Sequence, residues 1–458
     1  MRIFISAQSF AFVTMLLLLI TFQCGAENPI IQTNFTADPA PLVYSGTVYL
    51  YTSHDEDDAD GFKMLDWKLY TSTDMVNWTD HGTVASLATF PWAVQANDAW
   101  APQVVERNGK FYLYVPISAH GEPKNVIAVA VADSPYGPFK DALGHPVIDR
   151  AMGYIDPTVF VDDGQAYLYW GNPNLWYVKL NSDMISYSGE IVKVDSKPEN
   201  YQEGPWFYKR QGKYYMAYAS HCCPEGIGYA MSNSPTGPWE YKGMVMNPNS
   251  ASSGNHPGII DYKGNSYVFG FNYKLNFALT SKHRERRSVC VAKLDYNDDG
   301  TITTSPWWSE QGVSQLGTID PFQRIEAETI AWESGVRTAA SKTAGMYVTK
   351  ITNGSYIKVN GVDFGDNLAA SFSASVASNS AGGLVELHLD RIDGPIVASL
   401  RVANTGGWES WQTKTAPVSN VVGTHDLYFL FKGKGDEPLF NFDHWMFNKA
   451  SHHSHKIR

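Results

Sequence analysis

Three acids and a histidine stand at matching places in this sequence. Asp38 lies in "ADPAP", Asp156 in "YIDPTVF", Glu203 in "QEGPW" and His256 in "NHPGI". Asp38, Asp156 and His256 directly precede a proline, and Glu203 stands one residue earlier, before Gly204. A single Asp-Pro pair is an ordinary turn former. Three acids at one recurring position are not explained that way, because carboxylates brought together raise one another's pKa and give the fold nothing in return. They do have a chemical use. One protonated acid can assist a leaving oxygen while an ionised carboxylate activates water. Set ~6.5–9.5 Å apart, such a pair hydrolyses a glycosidic bond with inversion.

The elements that must position these residues recur with them. Residues 37–53, 100–115, 154–171, 203–219 and 256–271 each read as X-Pro, a short apolar strand, a Gly-containing turn and a Tyr/Phe-rich strand. The prolines are 39, 102, 157, 205 and 257. A period of about fifty to sixty residues, with several short strands per repeat, predicts a propeller with one four-stranded blade per repeat. The innermost strands of a propeller line a central channel, so their first residues converge at one end of it. The phrases "STDMVNWTDHG", "ADSPYGPFKDAL" and "SNSPTGPWEYKG" suit the outer strands of blades. Trp92, Trp100, Trp170 and Trp206 lie near the repeat starts, where an aromatic face could stack on a sugar ring; Trp100 and Trp170 are the better placed. Any of the four could equally be a core residue.

After about residue 308 the repeats stop. Residues 309–320 read as a linker. From 321 to 448, seven or so alternating strands predict a β-sandwich, and 449–458 is a polar tail. The expected fold is therefore all-β: a five-bladed propeller over 27–308, followed by a jelly-roll sandwich.

Composition narrows the function. The 458 residues include 14% aromatics and only 18% charged residues, which is a core-rich globular chain. A formal net charge of -11 argues against nucleic acid and against anionic membrane surfaces. The first 26 residues, with Arg2, the stretch "FAFVTMLLLLITF" and the small residues of "CGA", read as a secretory signal peptide. The expected mature protein is secreted, extracellular, free of the membrane and monomeric. Its three remaining cysteines, Cys222, Cys223 and Cys290, are not a disulfide framework. The adjacent pair is either a vicinal disulfide or two packing residues. Sequons begin at Asn34, Asn77 and Asn353.

Together "ADPAP", "YIDPTVF", "QEGPW" and "NHPGI" resemble the motifs of glycoside hydrolase family 43, across nearly all of 28–308. The resemblance implies a five-bladed propeller and an inverting mechanism. It implies Asp38 as general base, Glu203 as general acid and Asp156 as the residue that orients and tunes Glu203. It also implies His256 as a residue that helps hold a calcium ion or water cluster in the channel. "SHCCPEGIGYAMSNSPTGPW", "YWGNP" and "RRSVCVAKLDYNDDGTI" resemble more narrowly the members that release α-L-arabinofuranose from arabinoxylan. Arg287 then matches an active-site arginine, with Arg284 and Arg286 as close competitors. The segments "RIEAETIA", "GGWESWQT" and "FNFDHWMF" resemble a family 6 carbohydrate-binding module. That resemblance implies a cleft in which Tyr347 and Trp408 sandwich a sugar and Asn441 hydrogen-bonds it, with Tyr356 as an alternative first aromatic. It also implies a structural calcium held by Glu326, Glu328 and Asp443. No organic cofactor is expected.

Two acidic stretches fail as calcium loops. With Gly61 or Gly300 in the glycine place of an EF loop, the twelfth position falls on Trp67 or Pro306, not Glu. "HDEDDADG" at 54–61 reads as a solvated loop, although His54 and Asp55 follow a channel strand closely enough to touch a sugar. "DYNDDGTITT" reads as an Asp-Gly hairpin turn. "KHRERR" at 282–287 reads as a solvated basic run with part of it near the channel. Three functions compete: an arabinofuranosidase, a β-xylosidase or endo-arabinanase of the same fold, and a non-catalytic xylan-binding propeller. The three acids argue against the last.

Overall fold

A computed structural model describes residues 27–121, 124–149, 153–250, 255–366 and 369–449. The signal peptide expected over 1–26, and the tail after residue 449, lie outside the described residues. Among the described residues the chain is almost entirely β, with one six-residue α-helix, Lys274–Leu279.

Five antiparallel sheets cover the repeat region. Their first strands are Phe35–Tyr44, Gln103–Arg107, Thr158–Asp162, Tyr201–Arg210 and Gly258–Tyr262. Each pairs with the strand that follows through a two-residue turn. The turns are Ser45-Gly46, Asn108-Gly109, Asp163-Gly164, Gln211-Gly212 and Lys263-Gly264, and all ten residues have positive φ. That is the type I′ geometry whose twist matches the flanking strands, and it is why every repeat carries a glycine there. The first strand of each sheet lies beside the first strand of the next, and Gly258–Tyr262 lies beside Phe35–Tyr44. Residues 28–36 run along the last strand of the fifth sheet, Ser288–Leu294. Ile30 N donates to Val289 O at 2.9 Å, Thr36 N to Arg287 O at 2.9 Å, and Val291 N to Asn28 Oδ1 at 2.9 Å.

The recurrent proline turns tie sheet to sheet. Tyr51 OH donates to Pro135 O at 2.6 Å, and Tyr169 OH to Pro235 O at 2.5 Å. Each tyrosine reaches from a second strand into the "SPxGP" turn of the next sheet. The tyrosine body stays in the core while its hydroxyl is satisfied. Tyr169 also stacks on Phe207 of the fourth sheet, with ring centroids 4.0 Å apart.

The C-terminal strands form two facing sheets. Phe372, Phe429, Phe442, Trp445 and Phe447 are fully buried between them. Residues 309–320, expected to be a linker, are pinned to both sides. Leu316 N donates to Asp74 O at 2.9 Å, Ile319 N donates to Gly361 O at 2.9 Å, and Val313 is buried. Strand Thr329–Ile330 then pairs with Trp78–Ser86 and becomes the fifth strand of the first sheet. Asn77, a sequon residue, is buried in this seam: its amide donates to Asn360 O at 3.0 Å, and its carbonyl accepts from Asn360 N at 2.9 Å.

The first and fifth sheets meet tightly. A Cβ on Gly258 would lie 2.4 Å from Pro41 Cδ and 2.6 Å from Pro39 O. We expect Gly258→Ala to lower the thermal midpoint by several degrees, since forcing an extra methyl into a packed site costs about 1–3 kcal/mol. An unchanged melting curve would mean that this junction is slack.

Candidate active site

The five X-Pro pairs meet around one cavity, which Gln103 and Trp206 also line. Two of the acids reach it through a strained backbone. Asp38 has φ 51° and Asp156 has φ 60°, both left-handed, although a residue before proline prefers extended geometry. Such conformers cost about 1–3 kcal/mol each and persist only where the surroundings over-determine them. In the first sheet the register breaks between Ala37 and Ala40, a bulge that turns Asp38 out of the ladder. In the fourth sheet Gly204 takes the left-handed place at φ 59°, so the acid stands one residue earlier, at Glu203. A Cβ on Gly204 would come 2.9 Å from the His256 ring.

His256 is the centre of the group. Its Nδ1 lies 3.5 Å from Asp38 Oδ1, and its Nε2 lies 3.4 Å from Glu203 Oε1 and 3.7 Å from Asp156 Oδ2. Burial alone would lower the His256 pKa, but Asp156, Asp38 and Glu203 outweigh it and raise it to about 10. Burial pushes Asp156 up to about 7, helped by Glu203 and Asp38 and opposed by His256. Asp156 Oδ2 accepts from Gly204 N at 3.0 Å, which fixes the backbone beside the acid. Asp38 and Glu203 face opposite nitrogens of one imidazole. The ring's width plus two contacts of 3.4–3.5 Å sets their spacing.

Each outer acid has its own support. Asp38 Oδ2 accepts from the Ser53 hydroxyl, and Asp38 Oδ1 accepts from Arg287 Nη1 at 3.0 Å. Glu203 Oε2 accepts from the Asn172 amide. Arg287 is buried and also grips Asp55 through Nε at 3.0 Å and Nη2 at 2.8 Å. Burial pushes the Asp55 carboxyl up and the guanidinium beside it pulls it down. Of the basic run, only Arg287 bonds to one of the cavity acids: Arg284 pairs with Asp60, and Arg286 Nε donates to Ala59 O at 3.0 Å.

Several expected contacts are corrected by this geometry. Trp170 is fully buried in the core beside Leu168 and Val178, so it cannot stack on substrate. Asp55 is fully buried beneath Arg287 and acts through it rather than on a sugar. His256, expected to help hold a calcium ion or water cluster, has a ligand nitrogen within 4.8 Å of carboxylate oxygens of Asp156 and Glu203, a grouping that could hold a cation. Trp100 is half-buried, and its carbonyl accepts from Trp67 Nε1 at 2.6 Å. Ser53, Asn172 and Glu225 were not singled out from sequence, although Asn172 and Glu225 lie inside quoted motifs. Glu225 is buried, accepts from Asn255 N at 3.1 Å and is pushed up to about 7, by burial first and by Glu203 second.

In the C-terminal sheets Tyr347 is buried and packs edge-on against Trp411, with centroids 5.2 Å apart. Its expected partner, Trp408, is exposed instead. Asn441 is buried; it donates to Trp408 O at 2.7 Å and accepts from Thr349 Oγ1 at 2.8 Å. It therefore holds the Trp408 loop. Glu326 and Asp443 come together with His444, and Arg324 pairs with Glu326 at 2.8 Å. Glu328 Oε2 and Asp443 Oδ1 are buried without a hydrogen-bond partner among the described residues, although Arg324 Nη2 lies 3.7 Å from Asp443 Oδ1. Burial pushes Glu328 up to about 9, and Glu326, Asp80 and Asp443 add to the rise. Crowded carboxylates with orphaned oxygens fit a hard, oxygen-seeking cation.

Comparison with known proteins agrees with this geometry. The model of glycosyl hydrolases family 43 matches residues 26–302, and that of the family 6 carbohydrate binding module matches 326–449. The chain belongs to glycoside hydrolase family 43. It is 35% identical to an arabinoxylan arabinofuranohydrolase of Paenibacillus polymyxa, over 92% of this chain and 74% of that one. It is 34% identical to an arabinoxylan arabinofuranohydrolase of Bacillus subtilis, over 93% of both chains. A crystal structure of a family 43 arabinoxylan arabinofuranohydrolase from Bacillus subtilis, in complex with cellotetraose, superposes with a TM-score of 0.81 at 33% identity, covering 92% of this chain and 97% of that one. As a family 43 member this protein is a glycoside hydrolase, which removes the non-catalytic propeller from the competing functions.

The cluster makes stability depend on pH. Folded His256 keeps its proton to about pH 10, whereas an unfolded histidine releases it near pH ~6.5. The native state therefore binds the extra proton in that window. Its stabilisation is whole below the lower value and is lost as pH rises through the upper one. Asp156, raised to about 7, acts in the same sense from about pH 4 to 7. Melting temperatures should fall between pH 7 and 10, and His256→Gln should flatten that slope. A slope unchanged in the variant would place the titrating group elsewhere.

Proposed function

We propose that this family 43 hydrolase is secreted and removes α-L-arabinofuranosyl side chains from arabinoxylan with inversion. Asp38 acts as general base, Glu203 as general acid and Asp156 as the residue that positions Glu203. The observation that carries this reading is the placement of Asp38 and Glu203 on opposite nitrogens of His256. Ser53 and Arg287 hold the Asp38 carboxylate in place, and as the base it would take a proton from a water while that water's oxygen attacks the anomeric carbon. Glu203, held by Asn172, presents its carboxyl from the other side. Asp156 fixes Gly204 and thereby the strand that carries Glu203.

The five sheets act as the blades of a closed five-bladed propeller. The neighbouring first strands, and the pairing of residues 28–36 with the fifth sheet, support that closure. The 309–320 segment is a rigid connector between the catalytic region and the sandwich. Calcium is expected at the sandwich, held by Glu326, Glu328 and Asp443, where it would supply charge neutralisation and no catalytic step. The binding module takes the same polysaccharide, with the exposed Trp408 as its aromatic contact and Tyr347–Trp411 as the packed wall behind it. The enzyme is expected to work as a monomer.

Proton NMR of arabinoxylan digests tests the reaction. β-L-Arabinofuranose should be the first product, and Glu203→Gln should lower kcat by about 10²–10⁴-fold without loss of fold. Release of xylose alone would replace the substrate assignment; full activity of the variant would overturn the acid. For the module, Trp408→Ala should reduce adsorption to insoluble arabinoxylan while leaving turnover of a small arabinoside unchanged. Undiminished adsorption would move the sugar contact away from Trp408.

A further inference from the structure

In the fourth sheet Glu203 lies opposite Ala219, and Tyr201 opposite Ser220. The chain then turns through residues 221–224 and returns at Gly226, which pairs with Ser220. His221 N donates to Asn200 O at 3.0 Å, so the turn stands at the same end of the sheet as the acid. Cys222 and Cys223 form a disulfide, and both are exposed, as is Pro224. Beneath the turn, the carboxylate of buried Glu225 lies within 4.8 Å of both sulfurs. Glu225 in turn holds Asn255 N, the neighbour of His256. The exposed sulfurs are thus connected to the carboxylate cluster through buried, hydrogen-bonded groups.

The direction of proton transfer says what should lie there. A general acid gives its proton to the glycosidic oxygen, which departs with the leaving sugar. The leaving sugar must therefore lie beyond Glu203, on the side away from Asp38. The surface on offer is two sulfurs, their methylenes and a proline ring. It is uncharged and polarizable, suited to the C–H face of a pyranose.

Resting on the assignment of Glu203 as the acid, we propose that the disulfide turn at residues 221–224 is the platform for the leaving-group xylose of the backbone. It is a specificity element for the known reaction rather than a catalytic group.

The experiment compares two substrates that share the arabinose but differ in what leaves: an arabinosylated xylotriose, and methyl α-L-arabinofuranoside, whose leaving group is a single carbon unit. The double variant Cys222→Ala/Cys223→Ala should lose about tenfold in kcat/KM on the oligosaccharide, chiefly through KM, and change less than about twofold on the methyl glycoside. An equal fall on both substrates, or none on either, overturns the platform. Wild-type enzyme reduced with a phosphine, its fold checked by circular dichroism, gives a second measurement that does not depend on the variant folding. The same selective loss, reversed on reoxidation, is expected, and an unchanged KM on the oligosaccharide overturns the proposal. Failure of the parent reading would look different: wild-type enzyme inert on both substrates, or Glu203→Gln fully active on both, either of which removes the platform with it.

Discussion

The buried charge on His256 is the interaction on which the rest of this site depends. Three carboxylates crowded in a buried site repel one another, and that repulsion is strong where water screens it poorly. The imidazolium touches all three and fixes their spacing. Arg287 repeats the device one layer out, bridging Asp38 and Asp55. With a cation between them, the acids can stand near one another and still have different surroundings. A pair of acids must differ in that way to share proton transfer. Removing either cation leaves buried like charges uncompensated, which costs far more than the pair contributes when intact.

The frame exists to bring that charge and its acids to one place. Five first strands lie side by side, and each brings its residue before proline to the cavity. Asp38 and Asp156 take left-handed backbone there, and the ladders and turns around them offset the strain. Only the second sheet supplies no ionisable residue at or beside this position, where it carries Ala101. Its contribution is Gln103, whose side chain accepts from Val159 N and locks the second sheet to the third. One wall of the cavity is therefore purely structural, and the chemistry is confined to the other four.

The repeat was legible because it rests on local rules. A glycine at the second place of each I′ turn and a proline after each cavity residue are demands of backbone geometry, so they recur in the sequence at a steady period. The acids were visible because they occupy the recurring place. What was not legible lies across sheets. Trp170 follows an aromatic strand just as an exposed platform would, and only the packing of the third sheet shows that its ring points inward. Ser53 supports Asp38 from a second strand and Asn172 supports Glu203 from just beyond one, where nothing in the local pattern marks a polar residue as a partner. Arg287 could not be separated from Arg284 and Arg286 by spacing; the acidic loop at 54–61 decides it by taking Arg284 at Asp60. Trp411 packs edge-on against Tyr347 from far along the chain, a contact that no local spacing marks.

The seam between the two halves bears on how a polymer would reach the acids. Strand Thr329–Ile330 belongs by sequence to the sandwich and by hydrogen bonding to the sheet that carries Asp38. Thr338 donates to Asp80 Oδ2 at 2.6 Å, and Thr79 and Thr329 share a hydrogen bond at 2.8 Å. A flexible tether raises local concentration whatever the orientation of its two ends. A shared sheet instead fixes orientation. No entropy is then lost in docking the two halves. The shared sheet thus fixes the module's orientation relative to the sheet that carries Asp38.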